Sequence, residues 1–250
     1  INSDFQIQTV ICEKKRITEE YLKIVKKCQL SLLTFTNKEN FEHLILTFAL
    51  ETIFLIYQLD LIVPEHLTNK YTFFNLHSGS LKTNRGAHPI IRSILNNDNS
   101  TEFTLHKINN KIDQGTMVAT YPIQISQTDN AADIKKRMEE GFPYFFGQLS
   151  FFLDGSLEGT EISGGKYYKP ISEIDFTIKP FTDSKIEILN KIRSQLQYKG
   201  AIIYIADKKH FTNHLISWKN QNNPKESIVI DENVIIVERK NETITFQIIE

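Results

Sequence analysis

The sequence is short of cysteine, of net charge and of unbroken apolar runs, and each shortage closes off a class of protein. Cys12 and Cys28 belong to no Cys-x-x-Cys pair. A disulfide scaffold is therefore disfavoured, and two isolated thiols in a reducing compartment are expected to be buried. Lysine and arginine number 29 against 30 aspartate and glutamate, a net charge of −1 with a pI near 6.7. No global field then recruits nucleic acid or an anionic membrane, and an anionic ligand must be met by local groups. The most apolar stretch, Phe41 to Pro64, is broken by Glu51 and Asp60, well short of the roughly 20 residues of a membrane span. No secretory signal pattern opens the chain, which starts at Ile1 without a methionine, and the expectation is a cytoplasmic protein. His88, His106, His210 and His214 offer no pair at ligand spacing tied to a third ligand, so no metal is expected. His210 and His214 are assigned to a solvated helix or loop, Lys14-Lys15-Arg16 to a solvated turn, and Gly164-Gly165 to a flexible linker, since no Lys-Ser/Thr helix start follows them.

What is there is an alternation of strand and helix signals. Residues 5–12 alternate and then become continuously apolar, as a strand entering a buried sheet does. Thr18 caps a helix carrying Leu22, Val25 and Cys28; Leu30–Phe35 is a strand, Asn37 to about Leu50 a helix, Thr52–Tyr57 a strand and Pro64–Leu67 one helical turn. Tyr71–Leu76 is a further strand, Pro89–Leu95 a helix opened by its proline, and Glu102–Ile108 and Thr116–Ile125 are strands around a turn. Residues 131–153 supply one or two helices whose aromatics, Phe142, Tyr144, Phe145, Phe146, Phe151 and Phe152, are read as core. Such alternation predicts an α/β fold, Rossmann-like with a mostly parallel sheet. The pattern changes near Asp154. Residues 1–160 are read as a core, 161–208 as a linker with a helix over 186–196 and a strand over 201–205, and 209–250 as a small β-rich extension whose edge could pair across a two-fold axis in a homodimer.

Asn75 and His77 lie two apart at the end of the Tyr71–Leu76 strand, so alternation puts both on one face at the sheet's carboxyl edge, where open α/β sheets place their chemistry. Asp113, in the turn Asn110-Lys-Ile-Asp-Gln-Gly, is the next candidate, on a loop that a neighbouring strand could return to the same edge.

Asn75-Leu76-His77, Leu81, Asn84-Arg85-Gly86, Pro89 and Asp113-Gln114-Gly115 stand in the order and spacing of a known family, and the chain resembles the formyltransferases that use 10-formyltetrahydrofolate. Further similar segments are Leu59–Pro64, Lys166-Tyr-Tyr-Lys, Ile174-Asp-Phe176, Ile192-Arg193 and Tyr198-Lys-Gly-Ala201, so the likeness covers roughly residues 5–205. The Asn-Arg-Gly form resembles the sugar N-formyltransferases, and the 4-amino-4,6-dideoxyglucose type carried on dTDP in particular, which implies a role in O-antigen or other surface polysaccharide synthesis. Residues 209–250 hold five lysines and arginines against six acids, without the basic bias needed to grip a transfer RNA. Two departures stand out: the family's opening strand and helix have no equivalent before residues 5–12, which suggests a truncated chain, and Lys82 replaces a proline, which suggests a freer loop.

The resemblance implies catalysis by Asn75, His77 and Asp113, with Leu61, Ile62, Val63 and Asp113 toward the folate. Toward the sugar nucleotide it implies Asn84, Arg85, Lys166, Tyr167, Tyr168 and Arg193. Moving a formyl group to an amine requires an uncharged nucleophile and a stabilised oxyanion. A carboxamide donates without a change of protonation, and histidine shares that oxygen or relays a proton near neutrality. Asp113 either orients His77 or accepts the amine proton through water, and Arg85 either grips phosphate or ties the loop to backbone carbonyls. The rival readings are a formyltransferase acting on another amine such as methionyl-tRNA, and a non-catalytic folate- or nucleotide-binding module.

Overall fold

The computed structural model describes residues 6–221, 226–239 and 241–249. Phe5 of the expected first strand, and Lys240 and Glu250 of the C-terminal strands, lie outside the described residues. The elements begin β1 (Thr9–Glu13), α1 (Glu19–Lys27), β2 (Ser31–Phe35), α2 (Lys38–Ile45), β3 (Ile53–Tyr57), α3 (Glu65–Thr68) and β4 (Thr72–His77). Next come β5 (Arg85–Gly86), α4 (Pro89–Leu95), β6 (Ser100–Lys107), β7 (Thr116–Gln124), α5 (Ala131–Glu139), α6 (Phe142–Leu153), β8 (Thr160–Glu161) and β9 (Tyr167–Tyr168). The chain continues through α7 (Glu173–Phe176), β10 (Thr177–Ile178), α8 (Lys185–Ser194), β11 (Ala201–Ile205), β12 (Lys208–Asn220), β13 (Ser227–Asp231), β14 (Val234–Arg239) and β15 (Glu242–Ile249).

Side-chain caps set the helix starts. Thr18 accepts from the Tyr21 amide at 3.1 Å and Asn37 from the Asn40 amide at 2.8 Å, while Asn130 with Asp133 and Ser184 with Glu187 form reciprocal capping boxes. Helix α2 stops at Ile45 rather than near Leu50, with Thr47 Oγ1 donating to the Leu44 carbonyl at its end.

The chain folds as two compact units. The first comprises residues 1–77, 104–120 and 142–164, the second residues 78–103, 121–141 and 165–250. In the first, β1 and β2 pair in parallel, and so do β3 and β4. Strand β4 then runs antiparallel to the second half of β6, and β7 and β8 follow in the order β3-β4-β6-β7-β8. The parallel pairing predicted from alternation thus holds for the four N-terminal strands and gives way to antiparallel pairing after β4. Among the described residues no ladder joins β1 to β3, and β1 is half-buried along its length rather than buried, as a strand paired on one side is.

The core of this unit gathers Phe35, Phe41, Ile45, Leu67 and Tyr71 around Phe54 and Phe73, which stack at 4.8 Å. From α6, Phe142 meets Tyr57 edge-on, Phe152 meets Phe74 and Phe145 is buried. Tyr144 and Phe151, expected in the core, face outward, because one helix cannot bury aromatics on every side. Cys28 is exposed at the end of α1 and Cys12 half-buried, so the expectation of two buried thiols fails.

The second unit holds a six-stranded sheet in the order β10-β11-β12-β15-β14-β13. Ile203, Ile235, Val237 and Phe246 of this sheet pack with Ile188 and Ile192 of α8. The extension expected to begin at residue 209 starts earlier, since β11 pairs with β12 and β10 with β11. His210 and His214 lie on β12, with His210 buried, and not on a solvated helix or loop. Among the described residues no helix is long and apolar enough to cross a membrane.

Leu67 is fully buried at the centre of the first unit's core. Leu67→Ala is expected to lower the stability of the chain by about 2–5 kcal/mol in urea unfolding, a transfer loss plus a cavity. A change below about 1 kcal/mol would mean that this core collapses around the gap.

Candidate active site

Strand β4 begins apolar on both faces and turns polar at its end. Phe73, Asn75 and His77 share one face by period two; Phe73 belongs to the core, while Asn75 and His77 reach the carboxyl edge. The β4–β6 register sets Asn75 opposite His106 and His77 opposite Thr104. The ladder continues one step, with the Ile108 amide donating to the Phe73 carbonyl at 2.8 Å, before the chain turns back. Asn109 organises the turn, its side chain donating to the Gln114 carbonyl at 3.0 Å and accepting from the Lys111 amide at 2.9 Å. Asp113 sits in the left-handed region at φ 51°, which aspartate tolerates better than most residues. Gly115 closes the loop so tightly on Lys107 that a Cβ there would run into the Lys107 carbonyl oxygen.

The result is a polar cluster in which His77 and His106 are buried and Asn75 and Asp113 half-buried. Asp113 Oδ1 stands 3.8 Å from His77 Nδ1 and 3.7 Å from His106 Nε2, and His106 Nε2 is 3.2 Å from Asn75 Nδ2. Sequence reading brought Asn75, His77 and Asp113 to one edge, and the structure does gather them. His106, which the sequence presents only as a histidine without a metal partner, joins them. Burial lowers the His106 pKa to about 4, opposed by the Asp113 charge and reinforced by that of His77, so its ring is neutral at pH 7. Among the described residues no three histidine, cysteine, aspartate or glutamate side chains are placed to hold a metal ion.

The segment after β3 carries Leu61, Ile62 and Val63. Leu61 and Val63 pack on the core, whereas Ile62 is 67% exposed. Arg16, exposed on the short turn Lys14–Arg16 as expected, also braces this region by donating to the Gln58 carbonyl at 2.9 Å and pairing with Asp60.

In the second unit several candidates for sugar-nucleotide contact prove to be anchors. Asn84 is buried and donates to the Pro89 carbonyl and to Ser93 Oγ at 2.9 and 2.8 Å, fastening the start of α4. Arg85 is buried and donates to the Gly165 carbonyl at 2.9 Å, the backbone alternative of its two readings. Gly165 is no free linker: at φ 84°, a Cβ there would stand 2.6 Å from the Leu81 carbonyl oxygen. Nor is the loop at Lys82 free, since its carbonyl accepts from the Lys166 amide at 3.1 Å. Arg193 is buried on α8, giving Nη1 to the Ser126 and Asp129 carbonyls and Nε to Asn190, each at 2.9 Å. Tyr168 is half-buried, its hydroxyl accepting from Asn96 and its ring facing Arg92 and Lys166. Lys166 and Tyr167 remain exposed.

An α/β sheet ending in a carboxamide, two imidazoles and a carboxylate is built to steady charge on an oxygen while a proton moves. The formyl transferase family model matches residues 3–143, more than half of the chain, and the chain belongs to that family. The methionyl-tRNA formyltransferase of Pelagibacter ubique is 29% identical over 185 residues, covering 70% of this chain and 57% of that protein. The chain thus spans little more than half the length of this relative. Among solved structures, HypX from Aquifex aeolicus in complex with tetrahydrofolic acid superposes with a TM-score of 0.72 at 12% identity, over 96% of this chain and 44% of that one. The N-formyltransferase of Helicobacter canadensis, in complex with folinic acid and dTDP-3-aminofucose, superposes with a TM-score of 0.65 at 21% identity, over 98% of this chain and all of that one. At these identities the structures establish a shared formyltransferase fold.

Two substitutions separate anchor from site. Arg193→Ala leaves two backbone carbonyls without their donor and is expected to cost about 2–4 kcal/mol in urea unfolding. Unchanged stability with lost nucleotide affinity would return Arg193 to the substrate. Gly115→Ala must push the Asp113 loop away from β6, and is expected to cut turnover about a hundredfold while the melting temperature falls by only a few degrees. Full turnover would show that the position of Asp113 does not matter.

Proposed function

We propose that this chain transfers a formyl group from 10-formyltetrahydrofolate to the amine of a nucleotide-linked amino sugar, with dTDP-4-amino-4,6-dideoxyglucose as the first acceptor to try. The observation that carries the reading is the gathering of Asn75, His77 and Asp113 at one sheet edge, in family order, with Asp113 3.8 Å from His77. The donor's fit is supported by residues 61–63: among the described residues their backbone groups make no hydrogen bond within the fold, leaving an open amide edge for a hydrogen-bonding heterocycle. When bound, the folate supplies the activated formyl group.

The protein's own part follows from charge. As the amine attacks, negative charge grows on the acyl oxygen and positive charge on the nitrogen. Asn75 offers an N–H to the oxygen with no proton to lose. His77, buried 3.8 Å from Asp113, shares that oxygen or moves a proton, and the carboxylate orients the ring. Exclusion of water by the surrounding apolar strands strengthens these interactions.

For the acceptor, the balanced charge of residues 209–250 favours a sugar nucleotide, held by Lys166 and Tyr167, over a transfer RNA. Identity to methionyl-tRNA formyltransferase favours the second reading. The deciding test is a formyl-sized mass gain across a panel of dTDP-3-amino sugars, dTDP-4-amino sugars and methionyl-tRNA. Product on RNA alone would replace the sugar reading.

Within the site, Asn75→Ala is expected to lower kcat about a hundred- to a thousandfold, and His77→Asn and Asp113→Asn by about a hundredfold or more, with acceptor affinity preserved. Equal losses of affinity and turnover in all three would assign them to structure.

A further inference from the structure

His106 is a buried titratable group at this edge to which the proposed reaction gives no task. It is 1% exposed, faces Asn75 directly across the β4–β6 ladder, and its ring lies 6.5 Å from that of His77 at 78°. An amide nitrogen carries two hydrogens and no free lone pair, so its 3.2 Å approach to His106 Nε2 is a hydrogen bond only if Nε2 bears no proton. The ring must then be neutral with its proton on Nδ1, a buried atom with no hydrogen-bond partner among the described residues, so the bond to Asn75 stands against the cost of one unpaired N–H. Burial drives the ring the same way, since a charged imidazole is disfavoured away from water.

The consequence falls on Asn75. A carboxamide can turn over, exchanging its oxygen and nitrogen, at little steric cost. An Nε2–H would attract the oxygen, whereas an unprotonated Nε2 holds the nitrogen. Among the described residues the Asn75 side chain has no other hydrogen-bond partner, so one N–H is held by His106 and the second stays free at the sheet edge. We infer that His106 is a positioning residue, a neutral acceptor that selects the Asn75 orientation in which a free N–H faces the reacting oxygen. His77 and Asp113 are the other titratable groups against this ring; Asp113, at 3.7 Å, is too distant to take a hydrogen bond from Nε2.

The inference rests on the formyl-transfer reading for its catalytic half and on geometry alone for the rest, and two experiments keep these apart. Nitrogen-15 NMR of the full chain without substrate is expected to show His106 neutral, protonated at Nδ1 and bare at Nε2, from pH 6 to 9. An Nε2-protonated or cationic ring at pH 7 overturns the inference whatever the enzyme does. In turnover assays, His106→Leu is expected to lower kcat about ten- to a hundredfold with the acceptor KM unchanged. His106→Gln, whose side-chain oxygen can accept the same hydrogen bond, should recover most of that loss. In the Asn75→Ala background His106→Leu should cost nothing further, because its effect runs through Asn75. An equal loss in both backgrounds, or no recovery with glutamine in a chain that keeps its melting temperature, overturns the positioning role. Absence of turnover in the unsubstituted chain, with the expected tautomer in place, would sink the formyl-transfer reading and with it the catalytic half, leaving the hydrogen bond established.

Discussion

Everything at the candidate site depends on the register of β4 against β6. A one-residue slip would carry Asn75 and His77 to the opposite face of β4, where Phe74 packs on Phe152 of α6. The apolar alternation prevents this, since Phe73 and Phe74 are each fully buried on their own side. The same register chooses the partner of Asn75, and it fixes where β6 ends and hence where the Asp113 loop starts. Gly115 then decides how closely that loop returns, because only a residue without a side chain can pass the Lys107 carbonyl. Hydrophobic burial two and three residues away is therefore what places the polar groups.

The second unit shows the opposite use of charge. Arg85 and Arg193 spend their guanidinium groups on backbone carbonyls, and Arg92 pairs with Asp175 at 2.6 Å. A planar fork with five donors satisfies several acceptors at once, which suits arginine to tying loops to helices inside a fold. The carbonyls it meets would otherwise be costly to bury. A basic residue near a functional motif is thus as readily a fastening as a phosphate contact.

These contrasts explain what could be read in advance. Asn75 and His77 were legible because their relation is local: two residues apart in a strand is one face. Asp113 was legible through the family pattern and a loop of short span. His106 was not, since its partner lies 31 residues away across a ladder, and no local spacing writes the register of two strands. The fastening made by Arg193 was not legible for the same reason, its carbonyl partners being 64 and 67 residues distant. Gly164 and Gly165 suggested a linker because glycine signals both a flexible joint and a close approach, and only packing tells the two apart. The alternation of strands and helices gave the α/β class, but not the antiparallel turn after β4, because pairing direction is a property of connections in space.

The chemistry at the edge of β4 is indifferent to what carries the amine. A carboxamide, an imidazole and a carboxylate act on the acyl oxygen and on a proton, and both features are the same for an amino sugar and an aminoacyl-tRNA. Choice of acceptor must come from groups that hold the carrier. For an RNA that means releasing many counterions with clustered cations, a requirement that grows with each phosphate contacted. The arginines of the second unit that could have joined such a cluster are committed to carbonyls and a carboxylate, and its C-terminal sheet carries no excess of positive charge. What stays exposed along these motifs is Lys82, Lys166 and Lys169, with Tyr167 beside them. A few separate lysines are few cations for the many phosphates of an RNA, and that is the physical reason to try a nucleotide-linked sugar before a transfer RNA.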